Sequence, residues 1–104
     1  MEWYKEPPQI LHSEPRPAYY RQMIEDASRN IHLRRQAKTL LLFYANRSNS
    51  FRPSLKFIEQ ETGIPENKVS SVRKILDEHG LVAYHNYPGF IYIAWGNIRA
   101  YALL

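Results

Sequence analysis

The sequence predicts an α+β domain with a helical core and a C-terminal β-hairpin. Three observations lead to this fold class. Apolar residues recur at helical spacing between Ala18 and His79, glycines stand at the expected helix ends, Gly63 and Gly80, and the apolar period changes to two after Gly80. A chain of 104 residues is long enough for one compact domain.

The N-terminal segment is predicted to be an extended arm over residues 1–17, followed by the domain over 18–104. The arm holds four of the seven prolines. Proline removes a backbone donor and biases the preceding residue toward extended conformations, so a helix is not expected here. Trp3 and Ile10 are too apolar for a purely solvated tail. We expect the arm to pack either on its own domain or on a partner subunit.

Two helices are predicted between residues 18 and 47, with a break near 28–30. An apolar stripe marks the first helix, over 18–28, and a wider inner face marks the second, over 31–47. Asn30 is a candidate N-cap for the second helix, which we expect to be the most buried one. The stripe is Tyr20, Met23, Ile24 and Ala27, and the inner face is Leu33, Ala37, Leu40, Leu41 and Tyr44.

Two shorter helices are predicted between residues 53 and 79. Pro53 suits the first position of a helix that turns Leu55, Ile58 and Thr62 inward. Gly63 then stands at the left-handed stop position. The next helix runs over 65–79 and ends at Gly80. Its residues at helical spacing are Val69, Val72, Ile75, Leu76 and His79.

A hairpin is predicted after Gly80. The runs "LVAYHN" and "FIYIAW" are rich in β-forming residues and flank the turn sequence "NYPG". The tail "GNIRAYALL" is apolar enough to dock as a final strand or a short helix.

The charge of the chain favours an anionic partner. The formal net charge is +4 and the pI is about 9.5. Residues 1–18 carry a net −1, which leaves +5 on the rest of the chain. Nucleic acid and anionic surfaces are therefore candidate partners. The absence of cysteine excludes disulfides and thiolate metal sites, and neither a membrane span nor a signal sequence is apparent. We expect a cytoplasmic protein that does not bind membranes.

The segment Pro53–Trp95 resembles the winged helix-turn-helix family, with the helix-turn-helix at 53–79 and the wing at 81–95. Its sequence is "PSLKFIEQETGIPENKVSSVRKILDEHGLVAYHNYPGFIYIAW". Glu59 stands where that family usually has alanine, so either the two helices cross less closely here or Glu59 points outward. The residues that carry the resemblance are Ile58, Gly63, Ile64, Val69, Leu76, Gly80, Leu81 and Val82.

The resemblance implies that the helix over 65–79 enters the major groove of DNA. Its outer face would offer Asn67, Lys68, Ser70, Ser71 and Lys74. Asparagine pairs with adenine, lysine donates to guanine, and short serines let the backbone approach. The first turn also offers N–H groups to a phosphate. The alternative is that this is an ordinary polar surface face.

Further contacts are predicted around this helix. We expect Arg52, Lys56 and Arg73 to contact the DNA backbone. The wing offers His85, Asn86 and Tyr87 but no cation, so a purely structural hairpin is an equal alternative. A solvated surface is the commoner explanation for a further basic run, which consists of Arg34, Arg35 and Lys38.

Catalysis is not expected from this sequence. The four histidines lack metal-ligand spacing, and no nucleophile elbow or phosphate loop is present. His79 is interpreted as a helix C-terminal cap or a partly buried filler. We therefore expect no catalytic residue, no metal and no cofactor.

The predicted function is sequence-specific binding of double-stranded DNA. The segment resembles small transcription regulators. It also resembles the helix-turn-helix domains of phage and plasmid replication initiators and of conjugation accessory proteins, so a second candidate role is to mark an origin for a larger DNA-processing enzyme. We expect a homodimer or tandem binding, with the arm, helix 18–28 and Ile98–Leu104 as dimer elements. Alternatives are a protein-binding adaptor and single-strand binding through Tyr84, Tyr87, Phe90 and Tyr92.

Overall fold

The computed structural model describes residues 17–46, 53–84 and 91–104, which form five helices and two strands. The predicted combination of a mainly helical core with a small antiparallel sheet is confirmed. The elements are α1 (Pro17–Asn30), α2 (Arg35–Ala45), α3 (Leu55–Thr62), α4 (Glu66–Glu78), β1 (Val82–Tyr84), β2 (Ile91–Ile93) and α5 (Trp95–Ala102).

Helix α2 lies at the centre of the fold, as its wide apolar face predicts. It contacts α1, α3, α4 and β2. Ala37, Leu40 and Leu41 are fully buried, and Phe43 and Tyr44 are nearly so. Burying an aliphatic side chain of this size contributes about 1.5–3 kcal/mol of transfer free energy, so α2 supplies much of the core.

The start of α2 differs from the prediction. Asn30 does not cap this helix but is the last residue of α1, and its side-chain amide donates to the carbonyls of Tyr101, at 2.9 Å, and Ala102, at 3.2 Å. Helix α2 begins at Arg35, four residues later than predicted, after an extended Arg34 without a side-chain cap. The Asn30 amide thus joins α1 to the chain's own tail, and α2 begins too far along the chain for Asn30 to cap it.

Helix α1 ends in a left-handed turn at His32. The N–H of Leu33 donates to the carbonyl of Ser28 at 2.9 Å, and the N–H of His32 donates to that of Arg29 at 3.2 Å. This pair of bonds is a Schellman motif, which requires a left-handed residue. His32 supplies it with a φ of 55°, where glycine is the usual choice.

We expect the substitution His32→Gly to stabilise the protein by about 1 kcal/mol, because a side chain in the left-handed region costs roughly 1–2 kcal/mol. The measurement is the free energy of unfolding in urea. His32→Asn should fall between the two, since asparagine tolerates this conformation better than most residues. A loss of stability in His32→Gly would show that the imidazole makes a contact that outweighs the backbone strain.

Helix α3 begins at Leu55, two residues after Pro53, which was predicted to be its first residue. Ser54, not Pro53, opens the helix, and its hydroxyl accepts from the N–H of Phe57 at 3.1 Å. Ile58 is fully buried, as predicted, and Phe57 is partly buried against the core. Leu55, predicted to point inward, is 41% exposed.

The two strands form an antiparallel pair in which Val82 faces Ile93 and Tyr84 faces Ile91. The strand predicted to continue through residue 95 stops at Ile93, because Trp95 begins α5. The indole of Trp95 is buried and stacks on the ring of Tyr20, with the centroids 4.4 Å apart.

The tail is a helix that packs within its own chain. Helix α5 lies against α1, and Ile98 is fully buried between the elements of the core. The Tyr101 hydroxyl donates to the carbonyl of His79 at 2.9 Å. Helix 18–28 and Ile98–Leu104 are predicted dimer elements. The inner faces of α1 and α5 pack inside the domain instead, and Leu103 and Leu104 are exposed.

The predicted arm lies almost wholly outside the described residues, and Pro17, which was placed in it, is the first residue of α1.

Every helix among residues 17–46, 53–84 and 91–104 is too short or too polar to cross a bilayer.

Candidate nucleic-acid interface

A fixed turn sets the direction of α4 after α3. Gly63 takes a φ of 80°, and its N–H donates to the carbonyl of Glu59 at 2.8 Å. The Thr62 hydroxyl donates to the carbonyl of Ile58 at 2.7 Å and accepts from the N–H of Ile64 at 3.1 Å. Ile64 is buried, so the turn is held both by hydrogen bonds and by the core.

Helix α4 has one buried and one exposed face. Val69, Val72 and Leu76 are buried in the core, and Ile75 is half-buried at the edge. The five side chains predicted to contact bases are all exposed, as their spacing indicates: Asn67, Lys68, Ser70, Ser71 and Lys74. The helix therefore presents amide, hydroxyl and ammonium groups over its first three turns, while Asp77 and Glu78 lie at its far end.

The first turn of α4 is capped by a side chain of the preceding helix. The Glu59 carboxylate accepts from the N–H of Glu66 at 3.1 Å, and the N–H of Lys68 donates to the carbonyl of Pro65 at 2.8 Å. Two of the N–H groups expected to await a phosphate are thus already used. Glu59 is exposed, which answers the question raised by its place in the sequence: it points outward and caps α4.

Replacing Glu59 by alanine is expected to destabilise the protein by about 1 kcal/mol, since it removes a cap from α4. Glu59→Gln is the matched variant, because its side-chain oxygen still accepts a hydrogen bond, and it should lose clearly less. Thermal or urea unfolding measures both. Equal losses in the two variants would mean that the carboxylate acts by charge rather than as a hydrogen-bond acceptor.

The two described residues that were predicted to contact the DNA backbone, Lys56 and Arg73, lie in different surroundings. Lys56 is exposed on α3. Arg73 is half-buried, and its Nε donates to the Tyr44 hydroxyl at 3.2 Å, so it links α4 to α2 rather than standing free at the edge of α4. Burial raises the pKa of the Tyr44 hydroxyl, with a smaller opposing effect from Arg73, so the phenol is neutral at physiological pH.

The remaining predicted contacts lie outside the described residues. These are Arg52 before α3 and His85, Asn86 and Tyr87 between the strands. Of the aromatic side chains predicted to stack on unpaired bases, Tyr92 is buried in the hairpin and is not available for stacking.

His79 has the structural role that its position predicts. It follows the last residue of α4, is half-buried, and its Nδ1 lies 2.9 Å from the carbonyl oxygen of Ile75. The ring thus closes the helix end with a hydrogen bond to a terminal carbonyl.

A cleft of about 340 Å³ lies where the start of α2 meets α4. Sequence reasoning missed this cleft and treated Arg34 as part of a solvated run. The doublet Arg34–Arg35 at a helix start was the available signal, but only the packing of α2 on α4 brings Arg34 near the predicted site. The polar residues that line the cleft are Arg34, Gln36, Asn67, Lys68 and Ser71.

No protein-family model matches this sequence, and no curated protein or solved structure is significantly similar to it. The chemistry of the exposed groups therefore carries the functional argument.

Proposed function

We propose that this protein binds double-stranded DNA as a winged helix-turn-helix, with α4 in the major groove. One observation carries the proposal: α4 buries an aliphatic ridge and leaves two lysines, an asparagine and two serines exposed on the other side. Helix α3 and the Gly63 turn supply the first helix and the turn, and β1 and β2 supply the base of the wing.

The exposed groups suit base edges and phosphates. Asn67 has the donor and acceptor that adenine requires in the major groove, and Lys68 and Lys74 donate to guanine or to a backbone oxygen. Ser70 and Ser71 are short enough for the helix backbone to approach the DNA. Because α4 is held from its buried side by the core, the backbone that carries these groups is positioned before binding, which lowers the entropic cost of association.

The N-terminal end of α4 limits how the helix can approach DNA. The Glu59 carboxylate at the first turn repels a phosphate placed on the helix axis. We therefore infer that α4 meets the groove with its side rather than with its N-terminal end.

The small size of the chain, 104 residues, bears on how many copies bind one DNA site. A single module of this kind buries limited DNA surface, so tight binding requires two copies on adjacent half-sites. We propose a cytoplasmic regulator or an accessory protein that marks an origin of replication or transfer for a larger enzyme, without a catalytic step of its own. Dimer contacts would then involve surfaces other than the inner faces of α1 and α5.

The test is a salt titration of binding to labelled duplex and single-stranded DNA by fluorescence anisotropy. Groove binding predicts a preference for duplex and an affinity that falls with rising salt. If the protein binds neither form at physiological salt, the proposal is wrong, and a protein-binding adaptor becomes the better explanation of the exposed α4 face.

A further inference from the structure

We propose that the corner between α1 and α2 is a second DNA-backbone surface, continuous with α4, that binds phosphates flanking the groove in which α4 lies. This inference rests on the proposed function and extends the predicted footprint to residues that the helix-turn-helix does not include. We call this surface the corner band and define it by its cations: Lys68, Arg34, Arg35, Lys38 and Arg29.

The first part of the corner band joins it to α4. Arg34 and Lys68 line the same cleft, which is open to solvent, and both side chains are exposed. Gln36 and Ser71 add hydrogen-bonding groups to its walls. A phosphate at this cleft would lie between Arg34, which directly precedes α2, and Lys68 of α4.

The second part continues around α2. A larger open cleft, of about 440 Å³, lies between α1 and α2. The ionisable residues that line it are Glu25, Arg29, His32, Arg35 and Lys38. Arg34 and Arg35 are adjacent in sequence and line different clefts, one toward α4 and the other toward α1. The cations therefore form one band that passes across the start of α2.

The charge balance leaves the middle of the band unneutralised. Glu25 is paired with Lys38 at 2.8 Å, and Asp26 is paired with Arg29 at 2.7 Å. The hydrogen bond from Arg29 lowers the pKa of Asp26, so this acid is ionised at physiological pH. Within the described ranges, no acid forms an ion pair with Arg34 or Arg35.

A duplex backbone fits this surface better than a small anion does. The cations are spread over two open clefts instead of converging on one point, and duplex DNA carries a negative charge per roughly 1.7 Å of its axis. The positive end of the α2 dipole, without a side-chain cap, adds to the potential at Arg34 and Arg35. Continuity with α4 places the same DNA molecule on both surfaces.

The experiment uses the double variant Arg34→Ala/Arg35→Ala and the control Arg21→Ala/Arg99→Ala, which removes the same charge from exposed positions on α1 and α5. Binding is measured against salt for two duplexes that contain a site enriched from a random pool. The short duplex spans about one helical turn, roughly 10 bp, and the long one about three turns. Unfolding midpoints verify that both variants are folded.

For each bound copy, we expect the double variant to lose about 1.8 from the slope of log K against log salt on the long duplex and to match the wild type on the short one. A fourfold rise in salt would then weaken the wild type about twelvefold more per bound copy than the variant on the long duplex. The control variant should keep the wild-type slope on both duplexes.

The inference is wrong if the double variant matches the wild type on the long duplex, or if it loses equally on both lengths. In either case, the proposed function would still be supported if the protein binds the short duplex and this binding is lost when Lys68 is replaced. If the wild type binds no duplex, both the proposed function and this extension fail.

Discussion

Replacing Lys68 and Lys74 together by alanine is expected to weaken duplex binding by about 2–4 kcal/mol, or roughly 30- to 800-fold, if both lysines contact base edges. Both side chains are exposed on α4, and neither contributes to the buried face formed by Val69, Val72 and Leu76. The loss should therefore appear in affinity and not in the unfolding midpoint. Fluorescence anisotropy with an enriched duplex measures the first, and urea unfolding measures the second.

The matched control is Arg21→Ala/Arg99→Ala, which lowers the net charge by the same amount at exposed positions outside α4. If the control weakens binding as much as the lysine variant does, the affinity reports net charge alone, and α4 has no special role. Unchanged affinity in the lysine variant at physiological salt would likewise contradict the proposed groove contact.

Replacing Ile98 by alanine is expected to lower the free energy of unfolding by about 2–5 kcal/mol, since the change empties part of a packed core. Ile98 is fully buried where α5 packs in the core. Leu104→Ala is the control: this side chain is 79% exposed, and its loss should cost under about 0.5 kcal/mol. Urea unfolding of the two variants gives the comparison.

The same experiment tests whether the tail serves its own chain or a partner. With α5 docked inside the domain, the unfolding midpoint of the wild type should not depend on protein concentration through this helix. If Leu104→Ala cost as much as Ile98→Ala and the midpoint rose with concentration, the tail would be a dimer element after all.

The order and type of the elements were largely predictable because local signals agree with the core. Gly63 and Gly80 end α3 and α4 with positive φ values of 80° and 71°, where other residues are strained. The stripe of α4 was predicted from spacing alone, and its members are fully or nearly fully buried except Ile75 and His79, which are half-buried.

The helix starts were less predictable, because the deciding contacts are distant in sequence. Asn30 has the chemistry of an N-cap, yet its amide bonds the tail more than seventy residues away. His32 gives no local sign of a left-handed turn, which glycine or asparagine usually marks. Leu55 follows the expected spacing, but it is the first residue of α3 and stays exposed, whereas Ile58, predicted on the same side, is fully buried.

The candidate site likewise has some features that the sequence predicts and others that depend on tertiary packing. Exposure of Lys68 and Ser71 follows from the helical period and was predictable. The cap from Glu59 to α4 and the link from Arg73 to Tyr44 depend on how helices cross, which periodicity does not specify. The place of Arg34 beside Lys68 depends on the same packing.

The most direct test of the central claim is an NMR titration of the labelled protein with an enriched duplex. Groove binding predicts that backbone amide and side-chain signals over residues 67–74 shift together with duplex concentration, while those of residues 100–104 stay in place. Saturable duplex binding that leaves the signals of residues 67–74 unmoved would contradict it.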